Sequence, residues 1–378
     1  MRIIYLPLEP YQERYTVQLS APKTGWLERR WIENNIPYVR IDGTSLNDEI
    51  KTGSVLDACG RGFWATSQIQ KVLQMLNDGE LGNEYVIYFD DFWHPGISAL
   101  PYAFHLTKVQ PKMFAMLHAQ SIDQYDFTYP MRHWMRHFEI GIGKILSGIF
   151  VTSTCLRDLC LYNGIGSENT VHITGLPYNS NEVKEHFPET LPERKNQVVF
   201  SSRWDKEKCP EFFLAVIDEI MKDGHADIKF IITTSAKELR SNNPDLLHLL
   251  KRYLREYPDN LELREGQTKE QYYHNLLESK VQFNCADQDF VSWTLLEATT
   301  CGCWPIYPNY LSFPEALHNR SYFMHNKGDV KHAAEQICRA IERRIPPPVE
   351  DIYRKYDKSW ERMYKAMKGL SYEPLYRD

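Results

Sequence analysis

The feature that most constrains this chain is a rhythm in its second half, where short runs rich in β-branched and aromatic residues alternate with helical patterns. The runs fall at 198–201, 228–233, 261–263, 281–284 and 304–307, and the spacing predicts helices over 210–222, 244–256, 269–277 and 293–300. Strand, helix and strand at such short intervals imply right-handed crossover units and a parallel sheet covered on both faces. Pro210 suits the first turn of a helix, where its missing N–H is harmless, and Asp223-Gly224 suits that helix's stop.

The first half repeats the theme less regularly, with candidate strands at 2–6, 38–41, 85–89, 112–117, 148–152 and 172–174 and helices over 24–34, 65–77, 129–144 and 154–162. At 378 residues the chain is long enough for two cores, since single cores stop growing at about 250 to 300 residues. The expected fold is therefore α/β with two Rossmann-like domains, over 1–178 and 197–345. A polar linker at 179–196 with Pro188 and Pro192 joins them, and a helical segment at 346–378 follows. No G-x-G-x-x-G opens either half, which argues against a dehydrogenase.

Charge narrows the partners. Lys plus Arg is 44 and Asp plus Glu is 50, a net charge of −6, so no global cationic field draws in nucleic acid or anionic membrane, and any polyanion site is local. No run approaches the roughly 20 apolar residues of a membrane span, and the opening MRIIYLPL lacks a signal peptide's apolar region, so a soluble, cytoplasmic chain is expected. The eight cysteines are scattered without C-x-x-C spacing, which reads as free thiols in a reducing compartment rather than a zinc site.

Two segments carry chemistry. After the run at 198–201, Ser-Ser-Arg-Trp-Asp-Lys-Glu-Lys-Cys-Pro places Arg203 and Lys208 where ligands of parallel sheets bind, suited to neutralising a diphosphate leaving group. Taken alone, the run reads first as a solvated charged turn. In Asp289-Phe-Val-Ser-Trp-Thr-Leu-Leu-Glu297 two carboxylates eight residues apart would lie ~12 Å apart along a helix axis and reach different parts of one ligand. Free amides at that helix start would meet an anion, and Glu297, set among Trp293, Leu295, Leu296 and Ala298, needs donors to justify burial. A capping Asp and a solvated Glu are the alternative.

Together, Arg203 and Lys208, the carboxylate pair, Glu297-Ala-x-x-Cys-Gly and Phe313-Pro-Glu315 resemble the donor domain of the large retaining GT-B glycosyltransferase family that includes sucrose, glycogen and mannosyl transferases. Arg203-Trp204, Pro210-Glu211-Phe-Phe and Leu296-Glu297-Ala-x-x-Cys-Gly-Cys-x-Pro look most like the tRNA-queuosine mannosyltransferase group, over the donor half. The resemblance implies two Rossmann-like domains facing a cleft, with Ser359-Trp360-Glu361 in a closing helix that crosses back onto the first. It implies retaining transfer from a nucleotide-diphosphate sugar, UDP- or GDP-linked, to a hydroxyl without a catalytic metal or other cofactor.

Residue by residue, the resemblance assigns Arg203 and Lys208 to the diphosphate and Glu297 to the ribose hydroxyls. Asp289, with the amides of Phe290, Val291 and Ser292, falls to the transferred sugar, and His118 in Met-Leu-His-Ala-Gln falls near the reacting carbon. His118 reads equally as a satisfied histidine at a strand end. The family usually has Glu at position 289 and Gly at position 292, and its glycine-rich first loop is replaced here by Pro7-Leu-Glu-Pro-Tyr-Gln-Glu-Arg-Tyr-Thr.

On the acceptor side, Asp90-Asp91 ends a strand and reads as structural or acceptor-contacting rather than metal-binding. Arg132-His-Trp-Met-Arg-His through Lys144 places Arg132, Trp134 and Arg136 on one helix that either binds phosphates and bases or is a solvated basic face. With the queuosine resemblance this leans toward a modified nucleic-acid base, in tRNA or in hydroxymethylated DNA of a phage, whose enzyme would work in the host cytoplasm. A glycan, lipid-linked sugar or small metabolite remains the alternative acceptor, and a non-catalytic nucleotide-sugar-binding module the alternative class. Oligomeric state is left open.

Overall fold

The computed structural model describes residues 1–11, 15–46, 59–118, 120–126 and 128–376. They form two compact units, Met1–Tyr178 with Lys358–Asp378, and Asn179–Asp357. The first holds strands β1 (Arg2–Leu6), β2 (Tyr38–Arg40), β3 (Tyr85–Phe89), β4 (Lys112–Met116), β5 (Gly148–Val151) and β6 (Val171–Ile173). The second holds β7 (Lys195–Phe200), β8 (Lys229–Thr233), β9 (Leu261–Arg264), β10 (Ser279–Phe283), β11 (Trp304–Pro308) and β12 (Met324–His325). Every pairing is parallel, in the orders β2-β1-β3-β4-β5-β6 and β12-β11-β10-β7-β8-β9.

The helices begin and end where local chemistry directs. Pro210 opens Pro210–Lys222 and Gly224, at φ 89, lies just past its end. Thr268 and Gln271 form a reciprocal capping box for Lys269–Glu278. The helix Ser359–Lys368 belongs to the first unit, where Met363, Ala366 and Met367 pack with Ile3, Tyr5, Trp31 and Tyr88.

Two segments differ from expectation. The stretch at 179–196, expected as a polar linker, contains the helix Ser180–Glu185 and groups with the second unit. Its start is tied to the far end of the same unit, since Ser180 donates its N–H and Oγ–H to the Asp357 carboxylate at 2.7 and 2.6 Å. The segment 346–378 does not act as one piece: Glu350–Asp357 belongs to the second unit and Ser359–Lys368 to the first.

A polar node braces the first core. Asp90, 1% exposed at the end of β3, accepts hydrogen bonds from Tyr5 at 2.5 Å and Ser20 at 2.8 Å, linking β1, β3 and the helix Tyr15–Ser20. Burial pushes its carboxyl up to about 6, against the lowering effect of those donors. In the second core Trp204 is fully buried against Phe200 and donates its indole N–H to the Leu246 carbonyl at 3.0 Å.

Trp204→Ala should destabilise the second unit by about 3 to 5 kcal/mol, read as a fall in its thermal transition. Asp90 carries a raised value in the folded state, so its stabilising contribution is present below the unfolded value and is lost as pH rises through about 6. Each tenfold gain in proton affinity on folding corresponds to about 1.4 kcal/mol, so thermal melts across pH 4 to 7 should show wild type losing up to ~3 kcal/mol relative to Asp90→Asn.

Candidate functional site

In the second sheet the strand order reverses between β7 and β10, so the loops beyond their carboxyl ends open a crevice where ligands of such sheets bind. The loop after β7 carries Arg203 and Lys208, and the loop after β10 carries Asp289. Lys208 is buried and spans the two: its Nζ donates to the Gln288 carbonyl at 2.5 Å and to Gln288 Oε1 at 3.3 Å, and lies 3.5 Å from Asp289 Oδ2. The Asp287 N–H donates to the Glu207 carbonyl at 2.8 Å and adds a backbone tie between the same loops. Arg203 is nearly half exposed and is held by Asp205 at 3.1 Å and Glu207 at 2.6 Å.

Beyond Asp289 the chain is anchored from below. Phe290, Val291 and Ser292 are buried, and Ser312 donates its hydroxyl to the Phe290 carbonyl. Ser292 occupies the N-cap of the helix Trp293–Thr300, yet its side chain makes no capping bond; its hydroxyl lies 2.7 Å from Thr294 Oγ1, which lies 3.3 Å from the Tyr307 hydroxyl. A helix start leaves N–H groups without intrahelical partners, a favourable setting for an anion.

Glu297 is 2% exposed and accepts from Lys269 Nζ at 2.9 Å and the Tyr273 hydroxyl at 3.0 Å. Pairing with a cation and hydrogen bonding are what make a buried carboxylate tolerable. The spacing expected between the two acids needs correction: the helix begins at Trp293, so Asp289 precedes it and the 12 Å helical separation does not apply. Lys269, Tyr273 and Gln288 carried no signal in the sequence, because each reaches the site only through tertiary packing. The capping box at Thr268 marks the start of Lys269's helix but not the direction of its ammonium.

The first sheet reverses its order between β1 and β3, where Asp90 stands. Its carboxylate turns inward to Tyr5 and Ser20, while its carbonyl lies 2.9 Å from His118 Nε2. A carbonyl only accepts, so that nitrogen carries a proton. Asp91 pairs with Arg61 at 3.0 Å and accepts from Gln120 at 2.8 Å. Arg132, Trp134 and Arg136 are each exposed on the helix Arg132–Ile145, which buries Met135, Glu139 and Ile142; Arg132 and Arg136, four apart, share one side, and Trp134 points away from them. Residues 12–14 of the altered first loop, and Ala119 of the His118 segment, lie outside the described residues.

Among the described residues no cluster of three or more His, Cys, Asp or Glu is arranged to hold a metal, and no helix is long and apolar enough to cross a membrane.

Residues 181–360 match the family described as Glycosyl transferases group 1. A tRNA-queuosine alpha-mannosyltransferase of Drosophila melanogaster is 25% identical over 145 residues, which span 38% of this chain and 37% of that protein. Among solved structures, the trehalose-6-phosphate synthase OtsA superposes with a TM-score of 0.66 at 12% identity, covering 98% of this chain and 99% of its own. A sucrose-phosphate synthase from Thermosynechococcus elongatus gives 0.62 at 12% identity, covering 98% and 94%. A glycosyltransferase from Rickettsia africae ESF-5 gives 0.61 at 12% identity, covering 98% and 99%. At such identities these likenesses concern the fold, while the family match concerns the second unit and the crevice within it. Residues 181–360 thus match the glycosyl transferases group 1 family, and the chain as a whole shares the GT-B fold of these solved structures.

Proposed function

We propose that the chain transfers a sugar, with retention of anomeric configuration, from a UDP- or GDP-linked donor to a hydroxyl on a modified nucleic-acid base. The observation that carries the donor half is the meeting of Lys208 and Asp289 at 3.5 Å across the crevice where the second sheet reverses its order. Arg203 and Lys208 take the diphosphate, Glu297 the ribose hydroxyls, and Asp289 with the amides of Phe290, Val291 and Ser292 the transferred sugar. His118 contacts the transferred sugar, its ring oriented by the Asp90 carbonyl.

Attack comes from the face the leaving group departs from, with the departing phosphate accepting the acceptor's proton. The rate then derives mainly from positioning and from electrostatic stabilisation of the diphosphate. Two fixed cations supply that stabilisation in place of a metal ion. The acceptor is proposed from the queuosine-enzyme similarity and from the helix Arg132–Ile145, where Arg132 stacks over Tyr129 at 4.1 Å and Trp134 is 45% exposed. A cytoplasmic setting accords with buried thiols such as those of Cys160 and Cys209, pushed up to about 12 by burial.

Release of nucleoside diphosphate from UDP-, GDP- and ADP-sugars, in EDTA and with tRNA or hydroxymethylated DNA added, tests the reading directly. One donor should respond to one nucleic acid, and Arg203→Ala should lower its kcat/KM by about 100-fold or more. Silence with every nucleic acid would favour a glycan, lipid-linked or small-metabolite acceptor, and absence of any turnover a sugar-nucleotide-binding module. With the acceptor in hand, Arg132→Ala/Arg136→Ala should reduce the slope of log affinity against log salt by up to about 2.

A further inference from the structure

We propose that Glu207, together with Asp205, is a positioning residue that splints Arg203 for the anionic part of the donor; this rests on the nucleotide-sugar reading above. Arg203 has one terminal nitrogen on Asp205 Oδ2 at 3.1 Å and the other on Glu207 Oε1 at 2.6 Å. The guanidinium side chain is 47% exposed, whereas the two carboxylate side chains are 13% and 15% exposed. An exposed arginine has many rotamers to lose on meeting a ligand; one already held by two partners has fewer.

Both acids are themselves fixed. Asp205 Oδ1 accepts the Asn242 N–H at 3.0 Å, just ahead of the helix Pro244–Glu256. The Glu207 carbonyl accepts the Asp287 N–H at 2.8 Å, from the loop that also carries Asp289. The acids therefore belong to the frame of the crevice and hold the arginine to it. A guanidinium has five N–H donors, and these two contacts leave others to meet phosphate oxygens.

The same carboxylates would oppose a diphosphate if they acted only through charge, so the sign of the effect separates a splint from a competitor. Because the loop tie runs through the Glu207 carbonyl and not its carboxylate, Glu207→Gln removes the ion pair, leaving at most a weaker bond to a neutral acceptor, while keeping the tie.

Titration calorimetry with UDP and GDP on wild type, Glu207→Gln, Arg203→Ala and the double variant provides the test, with thermal melts as the control for folding. Glu207→Gln should weaken the nucleotide that wild type binds by about tenfold, yet by less than about twofold in the Arg203→Ala background, since the effect runs through Arg203. Unchanged or tighter binding by Glu207→Gln overturns the splint. An equal loss in both backgrounds also overturns it, by assigning the effect to the fold. Wild type that binds neither nucleotide defeats the donor reading itself, and the splint with it.

Discussion

Parallel pairing throughout both sheets is the constraint on which the rest of this molecule depends. A parallel strand cannot be reached from its neighbour by a tight turn, so each pair needs a crossover, and every carboxyl end falls on one edge of its sheet. The helices that make the crossovers cover both faces, which leaves the edge loops as the places where charged side chains can gather without disrupting a core. In the second unit the reversal between β7 and β10 brings Lys208 against Gln288 and Asp289, some eighty positions on. In the first it sets Asp90, at the end of β3, within reach of Tyr5 on β1.

Elements with local signals were legible in the sequence. Pro210–Lys222 and Pro244–Glu256 each open on a proline, and Trp293–Thr300 stops just ahead of Gly302 at φ 76, so their limits follow from residues within a turn of each end. Ser180–Glu185 was not legible, because its first residue is held by Asp357, 177 positions on. Val330–Glu342 was not read from the sequence either, although Ile337 and Ile341 join Ala333, Ala334 and Ala340 on its buried face. At the site, Arg203 and Lys208 stood out by their place after a strand and Glu297 by its apolar neighbours, and only the family resemblance joined them with Asp289; their companions carried no such signal. Lys269 and Tyr273 meet Glu297 from a separate helix, and no local pattern encodes that meeting.

Each charged group of the crevice already has an opposite charge beside it within the second unit. Arg203 has Asp205 and Glu207, Lys208 has Asp289, and Glu297 has Lys269. A chain of net charge −6 therefore needs no broad cationic field to build a site for an anion. What it supplies is fixed direction: Lys208 is anchored on a backbone carbonyl and Glu297 on a phenol and an ammonium. Such pairs add little stability, since desolvation offsets attraction, so their value lies in geometry.

The two departures from the residues usual in the family that the sequence resembles fit that geometry differently. Aspartate at 289 is one methylene shorter than glutamate, and its Oδ2 stays beside Lys208 rather than extending past it. Serine at 292 brings a hydroxyl to an N-cap, where serine ordinarily closes the helix start by accepting one of its amides. Here that hydroxyl is drawn toward Thr294, which in turn meets Tyr307, and no side-chain cap forms. The helix start thus lacks a serine cap just as it would with glycine, and the substitution adds a buried hydroxyl chain beneath the loop without closing the face that an anion would meet.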